Sequence, residues 1–169
     1  MPHLLTPPVI GRYLATQWRR AFGLNLSRLD DDLFVGGEFS LEQWPLLHAI
    51  GIRAVLSLQS EREDVFCAPL PARTLRLAVE DFYPPSLAQL EQAVAFLNES
   101  RVRGEPTLIH CHAGVGRAPL ITIAFLLAEG VPASEAERRV FHARPIMRLN
   151  RRQRARLSEW TMARAGLVK

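Results

Sequence analysis

Residues 107–119, Thr-Leu-Ile-His-Cys-His-Ala-Gly-Val-Gly-Arg-Ala-Pro, constrain this chain more than any other stretch. A short β-prone apolar run ends in a His-Cys pair, a loop with two glycines follows, and a long apolar helical pattern begins after Arg117. The order is strand, tight loop, helix. Such a loop turns backbone N–H groups inward and sets a helix N-terminus behind them, which makes an anion site. Gly114 and Gly116 allow the close backbone approach that a cradle of this kind needs. Pro119 falls early in the helix, where its missing N–H costs little.

Cys111 stands at the start of that cradle. A thiol among N–H dipoles, at a helix N-terminus and beside an arginine, gives up its proton more readily than a free one, and the thiolate is the nucleophile. Arg117 offers a planar fork that suits two oxygens of a phosphate. The remaining cradle positions, His112, Ala113, Gly114, Val115 and Gly116, would hold phosphate oxygens together with Arg117. The chemistry this predicts is attack of sulfur on phosphorus, forming a phosphocysteine. A structural cysteine in a glycine-rich turn is the competing reading, but it does not account for the arginine, both glycines and the helix together.

His110-Cys111, five residues, then Arg117 resembles the H-C-x5-R signature of the cysteine-dependent protein tyrosine phosphatases, in particular their compact dual-specificity branch. Rhodaneses usually have a shorter active loop. Low-molecular-weight tyrosine phosphatases carry the motif near the N-terminus, unlike this chain. The resemblance extends through Leu33–Gly37, a helix from Ser40, Gly51-Ile52 and the strand Arg53–Leu58. It therefore covers most of residues 30–160. It implies a single α/β domain: a mostly parallel central sheet of four to five strands, helices on both faces, and the phosphate loop between the last core strand and the central helix. On this reading residues 1–24 are an N-terminal tail and basic amphipathic helix, and residues 25–169 are the catalytic domain.

The chemistry also needs an acid to protonate the leaving oxygen, a role typically worth about 10²–10⁴-fold. The family places an aspartate after the third strand, and Asp81 matches that position, with Glu80 as the adjacent alternative. His110 is expected to support the cysteine and its loop. The family usually has Ser or Thr after the arginine, donating to the thiolate; here the residue is Ala118, which puts the second, hydrolytic step in question. No metal or cofactor is expected, because the arginine and loop dipoles supply the charge stabilisation.

Length and charge narrow the partners. The chain has 169 residues, enough for one sizeable core, and a net charge of +4 that is carried almost wholly by arginine. Val9 to Leu24 shows Ile10, Leu14, Trp18 and Phe22 four apart, with Arg12 and Arg19 opposite. Two readings stand: a helix docked through that stripe, or a basic amphipathic helix on an anionic membrane. Eight arginines crowd the last third, from Arg138 to Arg156, with only Phe141 among them, so a nucleic-acid site is not expected. They read as a solvated helix face, with Arg144, Arg148 or Arg152 near the loop's mouth attracting anions. Glu61, Glu63 and Asp64 read as a solvated turn. Cys67 reads as an inert small hydrophobe, against a redox role seen in some relatives.

With two cysteines there is no disulfide framework, and a thiolate enzyme suits the cytoplasm. Met1–Pro8 reads as a tail with no apolar leader pattern. The expected substrate is a phosphorylated protein or small phosphorylated molecule, and the default state is a monomer. Three functions follow. The chain is a protein tyrosine or dual-specificity phosphatase; or a phospholipid or small-molecule phosphatase, since the basic helix before the first strand resembles the layout of phosphatidylglycerophosphate phosphatases; or a non-catalytic phosphate-binding module.

Overall fold

The computed structural model describes residues 7–167. Most of the expected tail lies outside them, and Pro7 and Pro8 already belong to helix α1 (Pro7–Phe22). The chain continues through β1 (Leu26–Arg28), β2 (Leu33–Gly36), a 3-10 turn (Leu41–Gln43), α2 (Trp44–Ala49), β3 (Ala54–Gln59) and β4 (Arg73–Val79). It closes with α3 (Leu87–Val102), β5 (Thr107–His110), α4 (Arg117–Ala128), α5 (Ala133–Ala143) and α6 (Arg151–Leu167).

The five strands form one sheet in the order β1-β2-β5-β3-β4. β2, β5, β3 and β4 run parallel, with Leu33 and Ala54 both opposite Thr107, and β1 joins β2 antiparallel. The expected α/β architecture is therefore present, with five strands. β2, β3 and β5 are buried at every position, as parallel strands covered on both faces must be. β1 lies inside a polar stretch, residues 25–32, that carries no strand-like pattern. It is three residues long, and its central Ser27 is buried against the sheet, so neither length nor polarity marks it as a strand.

Alternation along the strands sorts the core into two layers. Leu33, Val35, Leu56, Leu58 and Ile109 face a large cluster with α3, α4, α5 and α6. Phe34, Val55 and Leu108 face a smaller one built on Phe39, Trp44, Leu47 and Ile52. α4 is buried almost all round, as its continuous apolar pattern predicts. Ser86 caps α3, its hydroxyl accepting from the Gln89 N–H at 3.1 Å. Gly51, at φ +106°, ends the α2 segment. Asn150 caps α6: its Oδ1 accepts from the Gln153 N–H at 3.0 Å, and Gln153 Oε1 accepts from the Asn150 N–H at 3.1 Å.

α1 lies beside β1, but not through the expected stripe. Among its described side chains Val9 and Thr16 are buried, while Leu14 and Trp18 are 61% and 67% exposed and Ile10 is also exposed. Arg12, expected on the solvent side, hydrogen-bonds His142 of α5 at 3.0 Å. The docked edge thus mixes the apolar Val9 with Thr16 and the Arg12–His142 contact. Phe22 and Arg19 have side chains outside the described residues.

Trp160 ties α6 to the centre. It is 1% exposed, and its indole N–H donates to the Ala124 carbonyl of α4 at 3.2 Å. Trp160→Ala is expected to lower stability by about 3–5 kcal/mol, read by urea unfolding; a loss below about 1 kcal/mol would show that α6 is held elsewhere.

Candidate active site

β5 is the central strand, with β2 and β3 on either side, so the chain leaving it emerges at the carboxyl ends of three parallel strands. Open α/β sheets place ligands there. The exit is anchored by Cys111 N–H to the Gly36 carbonyl at 3.4 Å. The loop then runs from Cys111 to the first turn of α4.

The four carbonyls of residues 112–115 are each bonded from another segment of the chain. The His112 carbonyl accepts from the Glu38 N–H at 2.9 Å, and the Val115 carbonyl from the Arg148 N–H at 2.8 Å. The Ala113 carbonyl accepts from Asn25 Nδ2 and Arg144 Nη2, both at 3.3 Å. The Gly114 carbonyl accepts from Arg144 Nε. Since each peptide plane carries its C=O and N–H on opposite edges, outward carbonyls leave the N–H groups facing the other way. One of them, Gly114 N–H, donates to Cys111 Sγ at 3.3 Å.

Gly114 has φ +67°, and a Cβ there would lie 2.4 Å from both Arg144 Nη2 and the Gly36 carbonyl oxygen. No other residue fits. A Cβ on Gly116 would lie 2.9 Å from Gln153 Nε2.

Cys111 is 2% exposed at the floor of a cavity of about 380 Å3. Its walls include Asp81, Phe82, Ala113, Val115, Gly116, Arg148, Leu149 and Gln153. Asp81 thus faces the same space as the thiol. Glu80, the alternative acid, is exposed outside it. The loop that carries Asp81 turns sharply. Phe82 has φ +64°, a left-handed conformation that is uncommon for a bulky residue, and Asn150 Nδ2 holds the Phe82 carbonyl at 2.7 Å.

Arg117 is 2% exposed beside the cavity. The fork expected to serve phosphate is held by protein groups in this structure. Nη1 and Nη2 bond both oxygens of Glu61, at 3.0 and 2.8 Å. Nη1 also donates to the Val79 carbonyl at 2.7 Å, and Nη2 lies 3.2 Å from Asp81 Oδ1. Nε is buried with no hydrogen-bond partner among the described residues. Burial opposes the charged guanidinium, but hydrogen bonds to Glu61, with Cys111 and Asp81 nearby, hold Arg117 above the ordinary arginine range. The hydrogen bond from Arg117 in turn pulls the Glu61 carboxyl down to about 2.

Glu61 and Asp64 therefore belong to the site, not to a solvated turn. Asp64 Oδ2 lies 2.8 Å from His110 Nε2, the imidazole fully buried and the carboxylate nearly so. The tandem of acids after a buried strand was the available signal, since two arginine- and histidine-seeking groups sit where β3 ends. Glu63 alone behaves as expected, paired with Arg76 at 3.0 Å near the surface.

His112 points away from Cys111. Its Nδ1 meets Glu38 at 3.0 Å, and it lines a separate cavity with Asn25, Glu38 and Arg62. Of the three arginines proposed for the mouth, Arg148 lines the cavity and Arg152 stacks on Tyr83 at 4.7 Å. Arg144 does neither: it is fully buried behind the loop. Its neighbours in sequence made it look like one more surface cation. Arg138, Arg139 and Arg154 do pair with Glu135 and Glu137 on exposed helix faces. Cys67 packs beside the Phe39–Trp44 cluster, with Sγ 3.7 Å from the Leu41 carbonyl.

Glu61→Gln tests the fork's anchor. Because Glu61 has a folded value near 2 against an ordinary 4.5, its contribution is present above about pH 4.5 and lost as pH falls towards 2. The wild type is expected to lose stability across that window more steeply than Glu61→Gln in acid-unfolding curves. Identical curves would remove the Glu61–Arg117 pair as a stabilising interaction.

A family model for the dual specificity phosphatase catalytic domain matches residues 33–163. Human dual specificity protein phosphatase 12 is 32% identical over 122 residues, which cover 70% of this chain and 36% of that protein. The chain thus spans about a third of that relative's length. Phosphatidylglycerophosphate phosphatase PTPMT2 of Arabidopsis thaliana is 24% identical over 146 residues, covering 83% of this chain and 64% of that protein. A crystal structure of a mouse putative dual specificity phosphatase complexed with zinc tungstate superposes with a TM-score of 0.78 at 23% identity, covering 88% of this chain and 93% of that one. Matching across the sheet, the loop and the helices that carry them, this chain belongs to the dual specificity phosphatase catalytic-domain family.

Proposed function

We propose that this chain is a phosphoric monoester hydrolase acting on phosphorylated protein side chains, phosphotyrosine foremost, through a phosphocysteine. The observation that carries the reading is the convergence of Cys111, Asp81 and the inward side of the loop on one cavity next to Arg117. In the first step Cys111 sulfur attacks phosphorus, the P–O bond to the leaving group breaks, and Asp81 gives its proton to the departing oxygen. Loop N–H groups and Arg117 Nε hold the equatorial oxygens. In the second step water attacks phosphorus, Asp81 takes the water's proton, and the S–P bond breaks to release thiolate and phosphate. His110, held by Asp64, orients the start of the loop.

Phe82, Val115 and Leu149 give the cavity an apolar wall that suits the ring of a phosphorylated phenol. A reducing compartment such as the cytoplasm would keep Cys111 a thiol.

A second reading is a phospholipid monoester as substrate. It is supported by the exposed Ile10, Leu14 and Trp18 on α1, by three arginines and no carboxylate along that helix's sequence, and by the likeness to PTPMT2. Among the described residues no helix is long and apolar enough to cross a membrane. Phosphate release from phosphotyrosyl and phosphoseryl peptides, compared with phosphatidylglycerophosphate in vesicles, separates the two. Preference for the lipid would replace the protein reading. No release from any substrate, with Cys111→Ser as control, would leave only phosphate binding.

The acid has its own signature. Asp81→Asn is expected to lower kcat about 10²–10³-fold on alkyl and phenyl phosphates and far less on substrates with an acidic leaving phenol; equal losses on both would move the acid elsewhere. Ala118 is fully buried, and the nearby Thr122 hydroxyl is engaged with the Ala118 carbonyl at 2.9 Å. Hydrolysis of phosphocysteine is therefore expected to limit turnover, giving a burst of product in rapid-quench experiments. Ala118→Ser should shrink that burst. No burst, with turnover unchanged by the substitution, would show that the missing hydroxyl does not matter.

A further inference from the structure

Arg144 reaches the phosphate loop from behind. It follows the last turn of α5 and is fully buried. Its Nε donates to the Gly114 carbonyl and its Nη2 to the Ala113 carbonyl at 3.3 Å. Beyond the loop it bonds Asn25 Oδ1 at 2.6 Å, Ser27 Oγ at 3.3 Å and the Val35 carbonyl at 3.4 Å. One guanidinium thus joins two successive loop carbonyls to β1 and β2. Asn25 completes the clamp by donating to the same Ala113 carbonyl at 3.3 Å.

We infer that Arg144 is a positioning residue for oxyanion binding, holding the Ala113 and Gly114 carbonyls outward so that the loop's N–H edge is already formed before an anion arrives. Two peptide planes are involved, Ala113–Gly114 and Gly114–Val115. The first carries the Gly114 N–H that donates to Cys111 Sγ; the second carries the Val115 N–H. Fixing each carbonyl fixes the N–H on the same rigid plane. Preorganised donors do not have to reorient when charge arrives, which is the source of their advantage. The guanidinium's charge adds a favourable potential on the far side of two peptide units. Gly114 takes part because only a residue without Cβ lets Nη2 come this close. Lysine cannot reproduce the arrangement: its ammonium is a point donor, while the planar fork spans both carbonyls and the Asn25 amide.

The inference rests on the loop being the oxyanion site proposed above, and the experiment separates the two. Tungstate binding is measured by isothermal titration calorimetry for wild type, Arg144→Lys, Arg144→Met and Ser27→Ala, alongside alkylation by iodoacetamide at pH 6 and thermal melting. Arg144→Lys is expected to bind tungstate at least tenfold more weakly and to alkylate several-fold more slowly. Arg144→Met should be weaker still where it folds. Ser27→Ala removes one anchor of Arg144 without touching a loop carbonyl, so it should lower the melting temperature and change tungstate affinity by less than about twofold. Folded Arg144→Lys with wild-type affinity and alkylation overturns the inference. So does a Ser27→Ala loss of affinity as large as that of Arg144→Lys, since general loosening would then suffice. Failure of wild type to bind tungstate overturns the oxyanion site itself.

Discussion

A peptide group cannot turn its carbonyl one way without turning its N–H the other, and the site is built on that constraint. The carbonyls from His112 to Val115 are satisfied by Glu38, Asn25, Arg144 and the backbone of Arg148. Those partners come from the segment after β2, from the turn before β1, from the end of α5 and from the segment before α6. The cradle is therefore not a local property of a glycine-rich sequence. It exists because four separate parts of the chain supply donors to its outer edge, and the parallel sheet brings them within reach.

Charge is arranged in the same layered manner. Arg117 and Arg144 are buried cations on two sides of the loop, and burial of either would be costly without partners. Arg144 is met by carbonyls, a hydroxyl and an amide, whereas the loop after β3 supplies carboxylates to Arg117 and to the buried His110. Glu61 grips Arg117, and Asp64 grips His110. Gripping Arg117 by Nη1 and Nη2 fixes the plane of the guanidinium, so its orientation is set by the fold itself. A freely rotating arginine would lose entropy on binding, which this arrangement has already spent during folding. The carboxylate also lowers the net positive charge at the loop. The site thus gives up some raw attraction for an anion in exchange for geometry.

The fold was legible because its signals are local and periodic. Buried parallel strands such as β3 and β5, the capped α3 and the all-apolar α4 each announce themselves within a dozen residues. Cys111, Arg117 and Asp81 were legible as a spacing and as an offset from a strand. What escaped the sequence is what depends on distant partners. Glu61 and Asp64 look like any acidic turn until Arg117 and His110 come back to meet them, fifty-six and forty-six residues later. Arg144 sits in an arginine-rich stretch, and only its depth distinguishes it. β1 is a strand by virtue of β2 alone. The stripe on α1 has helical spacing, but spacing says only that a face is apolar, not what covers it.

Asn150 shows how closely neighbouring duties are packed. Its Oδ1 terminates α6 by accepting from Gln153, while its Nδ2 clasps the left-handed residue after Asp81. A single amide is both the end-stop of the last helix and the latch of the loop that carries Asp81. Exchanging that helix as a block between relatives would take the latch away from the loop it holds, although the two lie sixty-eight positions apart in sequence.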